Sequence, residues 1–256
     1  MFSDGFKFVS YVLIFMAKFT YEDIIAETKR HAQLLKSRLP NLPSRKKLSP
    51  YNSIIVKDYA DLNAKVQEHV FRKDTEPGHG YEHLRWVAPR SGYFTDLECN
   101  ARNIEGEIRG RLIKRAVAVG LLHDVERYRG FGKEHSIKGS KVAKELLREC
   151  SIEDDYIPQI IMRHDEIDLF SIGNIEFDVP FQSNFDADHI LWGLEREESF
   201  WRSREKRNIH PKEAIHDYQY LFPLRNSFKT QRGKVIGPQF IDFGIDISKH
   251  IEKMFN

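Results

Sequence analysis

Apolar residues recur along the chain at the spacing of one face of an α-helix, and the clearest stripe runs from residue 108 to residue 123. Positions three or four apart lie on the same face of a helix, so the stripe predicts a helix with one face turned inward. His123 ends the stripe and is expected to face the interior, with Asp124 beside it and Gly120 leaving room one turn earlier. The stripe consists of Ile108, Leu112, Ala116, Val119 and His123.

The same spacing predicts helices over most of the chain, and no segment alternates like a strand over more than a few residues. The sequence therefore predicts an all-α fold, a multi-helix bundle packed around one core. The predicted helices cover residues 20–38 and 54–73, a segment through His83 that ends at Pro89, residue 95 to the His123-Asp124 pair, residues 134–149, a segment from about Asp155 through His164, a segment from Asp186 or its neighbour through Trp201, Pro211 to about Leu221, and residues 237–255.

Two segments lack helical spacing and contain residues that break helices. Residues 41–52 carry two prolines, two serines and a basic cluster, and they are predicted to form a linker. Residues 168–185 contain Gly, Asn and Pro, and they are predicted to form a long loop. The aromatic residues of this loop either cover a pocket or pack on the core, and we expect packing. They are Phe170, Phe177 and Phe181.

The chain has 256 residues, enough for one large core or two small ones. We expect an N-terminal helical extension and linker at residues 1–50 and one helical domain at residues 51–256. Residues 6–19 are mostly apolar, but a membrane span needs about 20 residues, and the segment lacks the features of a signal peptide. Two interpretations stay open: the segment is an amphipathic helix, or Met16 is the true start and the residues before it are an artefact.

Composition narrows the classes of function. A hydrophobic content of 41% and a charged content of 30% are typical of a globular protein. A net charge of +2 gives no basis for a stable nucleic-acid complex or for attraction to a membrane. Cys99 and Cys150 show no metal-binding spacing and can form at most one pair, so a reducing cytoplasm is the expected location.

Four histidines and two acids stand on inward faces or at the starts of predicted helices. An imidazole and a carboxylate at the inner end of an apolar helix indicate a metal site, but they are also typical of a core histidine held by a neighbouring acid. For His83, the alternative to metal binding is a position at the surface. For Asp188, the alternative is the role of an acid in the first turn of a helix, where the helix dipole favours a negative charge. The set is His83, His123, Asp124, His135, His164 and Asp188.

At these positions the chain resembles the HD-domain metal-dependent phosphohydrolases. Members of that family carry a histidine on one helix, a His-Asp pair at the end of a later helix, and an aspartate on a helix further along. The matching segments are EHLRWV (82–87), LLHDVERY (121–128) and DADHIL (186–191). Many members add histidines between the pair and the last aspartate, and EHSIKGS (134–140) and MRHDE (162–166) look like those.

The resemblance covers about residues 75–200 and implies a metal site inside a helical bundle. Asp186 and Asp188 are the two candidates for its last ligand. Asp188 is preferred because it follows a small residue and precedes the apolar run, as in the family, which leaves Asp186 as the N-cap of that helix. The implied metal ligands are His83, His123, Asp124 and Asp188.

Imidazole nitrogens and carboxylate oxygens together suit divalent ions of intermediate hardness. The resemblance leaves the ion open among Mn²⁺, Mg²⁺, Co²⁺, Ni²⁺, Zn²⁺ and Fe²⁺, and it implies a metal-activated water that attacks phosphorus. His135 and His164 have two interpretations that stay open. They bind a second ion or contact the phosphate, or they satisfy polar groups around a one-ion site.

Phosphate needs cationic partners, and four basic residues near the motif are candidates. Arg127 follows the motif directly and is expected to be catalytic together with Asp124. The remaining cations are expected to bind the substrate, although any of them can equally be a surface charge. They are Lys133, Lys138 and Arg163.

Two further residues near the motif have open roles. Glu126, where many relatives carry glycine, either orients the attacking water as a catalytic base or points outward from the helix end. His79 lies one helical turn before His83, but Gly80 stands where family members often carry an acid.

The resemblance implies hydrolysis of a phosphoester or phosphoanhydride, with a nucleotide or small phosphorylated metabolite as substrate and a possible homodimer as the assembly. A fold of this kind does not fix the chemistry, so a di-iron oxygenase and a non-catalytic nucleotide-sensing module are the alternatives. The sequence contains no P-loop and no dinucleotide-binding glycine pattern that would narrow the substrate.

Overall fold

The computed structural model describes residues 19–72, 79–127, 134–190, 194–216 and 221–255. These residues form twelve α-helices and contain no strand, so the all-α prediction is confirmed. The apolar segment at residues 6–19 lies almost entirely outside them. The helices are α1 (Tyr21–Leu35), α2 (Arg45–Lys57), α3 (Ala60–Phe71), α4 (Tyr81–Ala101), α5 (Gly106–Leu122), α6 (His135–Glu149), α7 (Tyr156–Arg163), α8 (Ile175–His189), α9 (Leu194–Lys206), α10 (Pro211–His216), α11 (Leu221–Leu224) and α12 (Gln231–Glu252), with 3-10 turns at Lys36–Arg38 and Lys253–Phe255.

Helices α4, α5 and α8 pack on one another and form the centre of the bundle. Two large apolar clusters lie on either side of this centre, where one core was expected. One cluster joins Leu84 of α4 and Phe181 of α8 to helices α2, α3, α5, α6 and α7. The other joins Phe94 of α4 and Phe185 of α8 to helices α1, α9 and α12. Helices α4 and α8 therefore have apolar neighbours on both sides.

Helix α8 replaces most of the loop predicted at residues 168–185, and that prediction was wrong. Every residue from Phe177 to Asp188 is buried, so the helix has no polar stripe from which a helical period could be read. Pro180 removes the hydrogen bond that the carbonyl of Glu176 would accept. Nη1 of Arg115 donates to that carbonyl instead, over 2.8 Å. Phe177 and Phe181 pack in the core, as expected.

Helix α4 does not end at Pro89, as the sequence predicted, but continues to Ala101. The residues around Pro89 are buried, and their packing outweighs the loss of one backbone hydrogen bond. The predicted helix from residue 95 to the His-Asp pair is divided instead. Asn103 and Gly106, with φ angles of 57° and 61°, form the turn between α4 and α5.

The prediction of a linker at residues 41–52 was also wrong, because α2 begins at Arg45. The hydroxyl of Ser44 caps the helix by accepting a hydrogen bond from the amide of Lys47, over 3.4 Å. Leu48, Tyr51 and Ile55 form the buried stripe of this helix. The boundary predicted between residues 50 and 51 falls inside α2.

The stripe that ends at His123 is confirmed except at its first member. Leu112, Ala116, Val119 and His123 are fully buried, but Ile108 is 46% exposed. The C-terminal tail is helical as predicted, although α12 begins earlier, at Gln231. Among the described residues, no helix is long and apolar enough to cross a membrane.

Candidate metal centre

A close contact between α4 and α5 brings the first two histidines together. A Cβ atom on Gly120 would lie 2.5 Å from the Cα atom of Ala88, so only glycine allows this approach. His83 lies in the first turn of α4, and His123 lies directly after the last residue of α5. Asp188 comes from the last turn of α8, which packs on both helices.

The first cluster consists of His83, His123, Asp124 and Asp188, all of them buried. Nε2 of His83 lies 3.1 Å from Nε2 of His123 and 3.2 Å from Oδ1 of Asp188. Oδ2 of Asp124 lies 3.6 Å from Nε2 of His83 and 3.7 Å from Nε2 of His123. Atoms that bind one ion at about 2.0–2.1 Å are themselves about 3.0–3.4 Å apart. The shorter distances fall in that range, so small side-chain movements would bring all four donors around one ion.

A second cluster lies on the other side of Asp124. Its Oδ1 atom is 3.3 Å from Nε2 of His135 and 3.3 Å from Nε2 of His164. The two imidazole nitrogens are 3.2 Å apart. Asp165 lies against both, with an oxygen 3.0 Å from Nε2 of His135. The carboxylate of Asp124 therefore contributes one oxygen to each cluster.

Backbone hydrogen bonds orient two of the imidazoles. Nδ1 of His123 donates to the carbonyl of Gly120 over 3.0 Å, and Nδ1 of His164 donates to the carbonyl of Ile161 over 2.7 Å. A carbonyl accepts only, so both Nδ1 atoms carry hydrogen, and in the neutral form of each ring the Nε2 lone pair points into the cluster. Metal-binding histidines have this arrangement, in which the second nitrogen is fixed by a hydrogen bond.

The electrostatics of the clusters favour positive charge. Burial raises the pKa of Asp124 and Asp188, but nearby imidazoles outweigh burial and hold both pKa values well below the ordinary value. Burial lowers the pKa of His135, but the neighbouring carboxylates of Asp124 and Asp165 outweigh burial and raise that pKa to about 10. The carboxylates thus stay ionised and attract a cation.

Of the two candidates for the last ligand, Asp188 lies in the first cluster and Asp186 has a different function. Asp186 accepts hydrogen bonds from the amides of Lys229 and Thr230 over 2.8 and 2.7 Å, and from the Thr230 hydroxyl over 2.6 Å. The prediction that Asp186 caps its own helix was wrong, because it lies near the end of α8. It instead holds the residues that begin α12, and Gly233 leaves the space for it.

Among the expected catalytic residues, Arg127 lies at the second cluster, with Nη1 3.1 Å from Nε2 of His135. Glu126 is 5% exposed, so the alternative that it points outward was wrong. Its Oε1 atom lies 2.6 Å from Nε2 of His69 on α3. Its role as a catalytic base stays a prediction.

The expected substrate-binding cations lie in surface ion pairs or outside the described residues. Nζ of Lys138 lies 3.0 Å from Glu134, and Nη2 of Arg163 lies 2.8 Å from Glu166. Lys133 lies outside the part of the chain that the structure describes. Their contacts with a substrate stay predictions.

Two residues of the site were not selected from the sequence. Nδ1 of His79 lies 2.8 Å from Oδ2 of Asp124, and burial lowers the pKa of His79 to about 4. A neutral His79 can therefore donate to Asp124. The spacing of His79 from His83, one helical turn, was the available signal. Asp165 follows His164, so the chain repeats there the dipeptide of His123 and Asp124. This repeat was the available signal for Asp165.

Comparison with protein-family models, with curated proteins and with solved structures found no match. The chemistry of the site therefore has to be inferred from its own donor atoms. Imidazole and carboxylate groups, all buried except the half-buried His79, have ligand atoms within 4.8 Å of one another in three sets, and such sets could hold a divalent metal ion. The sets are His79, His83 and Asp124; His83, His123 and Asp188; and Asp124, His135 and His164.

Proposed function

We propose that the protein is a metal-dependent phosphohydrolase that cleaves a phosphoester or phosphoanhydride of a nucleotide or small phosphorylated metabolite. The observation that supports it is the convergence of four buried donors, which α4, the end of α5 and α8 bring together. These donors are the residues that the resemblance to the HD-domain phosphohydrolases selected. They are His83, His123, Asp124 and Asp188.

The donor set fits a divalent ion. Its Nε2 and carboxylate oxygen atoms face one another at distances near those of atoms bound to one ion. Oδ1 of Asp124 is buried without a hydrogen bond of ordinary geometry. Buried polar atoms normally have a partner, and a bound cation would supply one here. When bound, such an ion would lower the pKa of a water ligand and polarise a phosphoryl oxygen.

The residues around the ligands supply orientation and charge. His79 donates to Asp124 and fixes the direction of the carboxylate that both clusters share. Arg127 places a guanidinium group beside these clusters, where it can neutralise the charge of a phosphate. The contact between Glu126 and His69 holds α3 against the segment that carries the His-Asp pair.

A reducing cytoplasm is the proposed location, because Cys99 and Cys150 are both free thiols. The proposed partner is a small phosphorylated substrate, with no stable nucleic-acid or membrane complex, and a homodimer remains the proposed assembly. Gel filtration with light scattering would test the assembly.

A di-iron oxygenase is the second candidate, and one observation favours it. Oxygen chemistry of that kind needs ligands for two ions, and Asp124 links the first cluster to His135 and His164. Iron content and oxygen consumption distinguish this candidate from the hydrolase.

A hydrolysis screen with metal analysis tests the proposal. The protein would be assayed with a generic phosphomonoester, a phosphodiester and a nucleotide panel in Mn²⁺, Mg²⁺, Co²⁺ or Ni²⁺. Asp124→Asn removes the shared carboxylate, and Asp246→Asn removes an exposed carboxylate as the matched control. We expect metal-dependent phosphate release that Asp124→Asn abolishes and Asp246→Asn preserves. Bound iron with oxygen uptake and no hydrolysis would favour the oxygenase, and tight nucleotide binding without turnover would favour a sensor.

A further inference from the structure

The second cluster contains a cation that belongs to the chain itself. Nη1 of Arg127 lies 3.1 Å from Nε2 of His135, 3.8 Å from Oδ1 of Asp124 and 3.7 Å from Oδ2 of Asp165. The last two are carboxylate oxygens, and the first is an imidazole nitrogen that could bind an ion. The guanidinium group therefore lies where a second divalent ion would find its ligands.

Arg127 and a second ion would compete for one atom of His135. Nε2 of His135 is the atom that faces Arg127, Asp124 and His164, so a second ion would have to bind this same nitrogen. A metal binds an imidazole nitrogen through its single lone pair, which must point at the ion. The contact with Arg127 and a bond to a second ion are therefore in competition.

The distances bring the two charges close together. Nε2 of His135, Nε2 of His164 and Oδ1 of Asp124 are 3.2–3.3 Å from one another, so an ion about 2.0–2.1 Å from all three fits between them. The guanidinium nitrogen that is 3.1 Å from Nε2 of His135 would lie within about 5 Å of such an ion. Two positive charges at this separation in a buried site repel each other.

We propose that Arg127 is an internal cation that occupies the second cluster and moves out when a second divalent ion binds. The two clusters then differ in affinity: the first takes its ion readily, and the second takes an ion only by displacing Arg127. The displaced guanidinium would be free to contact a bound phosphate. This inference rests on the metal centre of the proposed function.

Metal titration of the purified protein tests the inference. Mn²⁺ binding would be followed by calorimetry, with electron paramagnetic resonance to separate single from paired ions. Arg127→Ala and Arg127→Gln both remove the charge, and the glutamine keeps a similar length. Arg225→Ala is the matched control, because Arg225 pairs with Asp242 on the surface. Circular dichroism verifies that each variant is folded.

For the wild type, we expect a second ion that binds about tenfold or more weakly than the first. Both Arg127 variants should strengthen binding of the second ion by about tenfold, leave the first nearly unchanged and increase the paired-ion signal. Arg225→Ala should behave as the wild type. Equal affinities in the wild type, or a second ion that the Arg127 variants do not strengthen, would overturn the inference. Absence of any bound ion would instead count against the proposed function itself.

Discussion

The Nε2 atoms of His83 and His123 face each other across 3.1 Å in the interior of the protein. The hydrogen bond from Nδ1 of His123 to Gly120 leaves the Nε2 lone pair of that ring directed at His83. Such a pair is stable when a proton or a metal ion lies between the nitrogens. With Asp124 and Asp188 on either side, the surroundings favour a doubly charged ion over a single proton.

Gly120→Ala tests the close contact between α4 and α5. The added Cβ would meet the backbone of Ala88, so we expect a loss of about 1–3 kcal/mol of stability and weaker metal binding as His83 and His123 separate. Gly139→Ala is the control, because its Cβ would meet Ile161 at an ordinary 3.5 Å. Urea unfolding and metal titration measure both effects. Equal stability of the two variants would show that the contact is not tight.

His79→Gln tests the orientation of the shared carboxylate. Loss of the imidazole next to Asp124 should weaken metal binding by about 10–100-fold, the effect of losing a partner of a metal ligand. The melting temperature should change little. His210→Gln serves as the control, because His210 is exposed, precedes α10 and belongs to neither cluster. Unchanged metal affinity in His79→Gln would show that Asp124 needs no such partner.

Asp186→Asn and Asp188→Asn should separate a structural from a functional carboxylate. The carboxylate of Asp186 accepts three hydrogen bonds through its two oxygens. The side-chain amide of the asparagine variant would have one acceptor oxygen for the same three donors, so we expect a loss of about 1–3 kcal/mol of stability. The same change at Asp188 should remove metal binding with a smaller effect on stability. Thermal unfolding and metal titration of both variants decide the assignment, and the opposite pattern would reverse it.

Stability should fall in mild acid because of a histidine pair between α1 and α12. The rings of His31 and His250 are stacked at 3.7 Å, and burial together with the charge of His250 lowers the pKa of His31. The unfolded chain then binds more protons than the folded chain, so this contribution is present above about pH 6.5 and is lost as the pH falls below it. His31→Phe should flatten the pH dependence of urea unfolding between pH 7 and pH 5. An unchanged slope would contradict this origin.

Half-exposed helices could be predicted from the sequence. The stripe that ends at His123 predicted the buried face of α5, and it placed the His-Asp pair at the inner end of that helix. The helical spacing of apolar residues can be recognised in a sequence when the helix has one apolar and one polar face. Helix α8 is surrounded by core and was therefore missed, although Asp188 within it was selected from the family pattern.

Contacts between distant segments could not be read from spacing. The choice between Asp186 and Asp188 depends on the amides of Lys229 and Thr230, more than forty residues further along. The same holds for Arg127, whose place beside His135 depends on how α6 meets the segment after α5. Residue types indicated the chemistry, and tertiary packing determined which atoms meet.

The most direct test is the position of a bound ion in a crystal grown with Co²⁺ or Mn²⁺, located by anomalous scattering. The account predicts a peak about 2.0–2.2 Å from donor atoms of all four ligands of the first cluster. A metal-loaded crystal with no peak there, or with the ion bound elsewhere, would contradict it. The four ligands are His83, His123, Asp124 and Asp188.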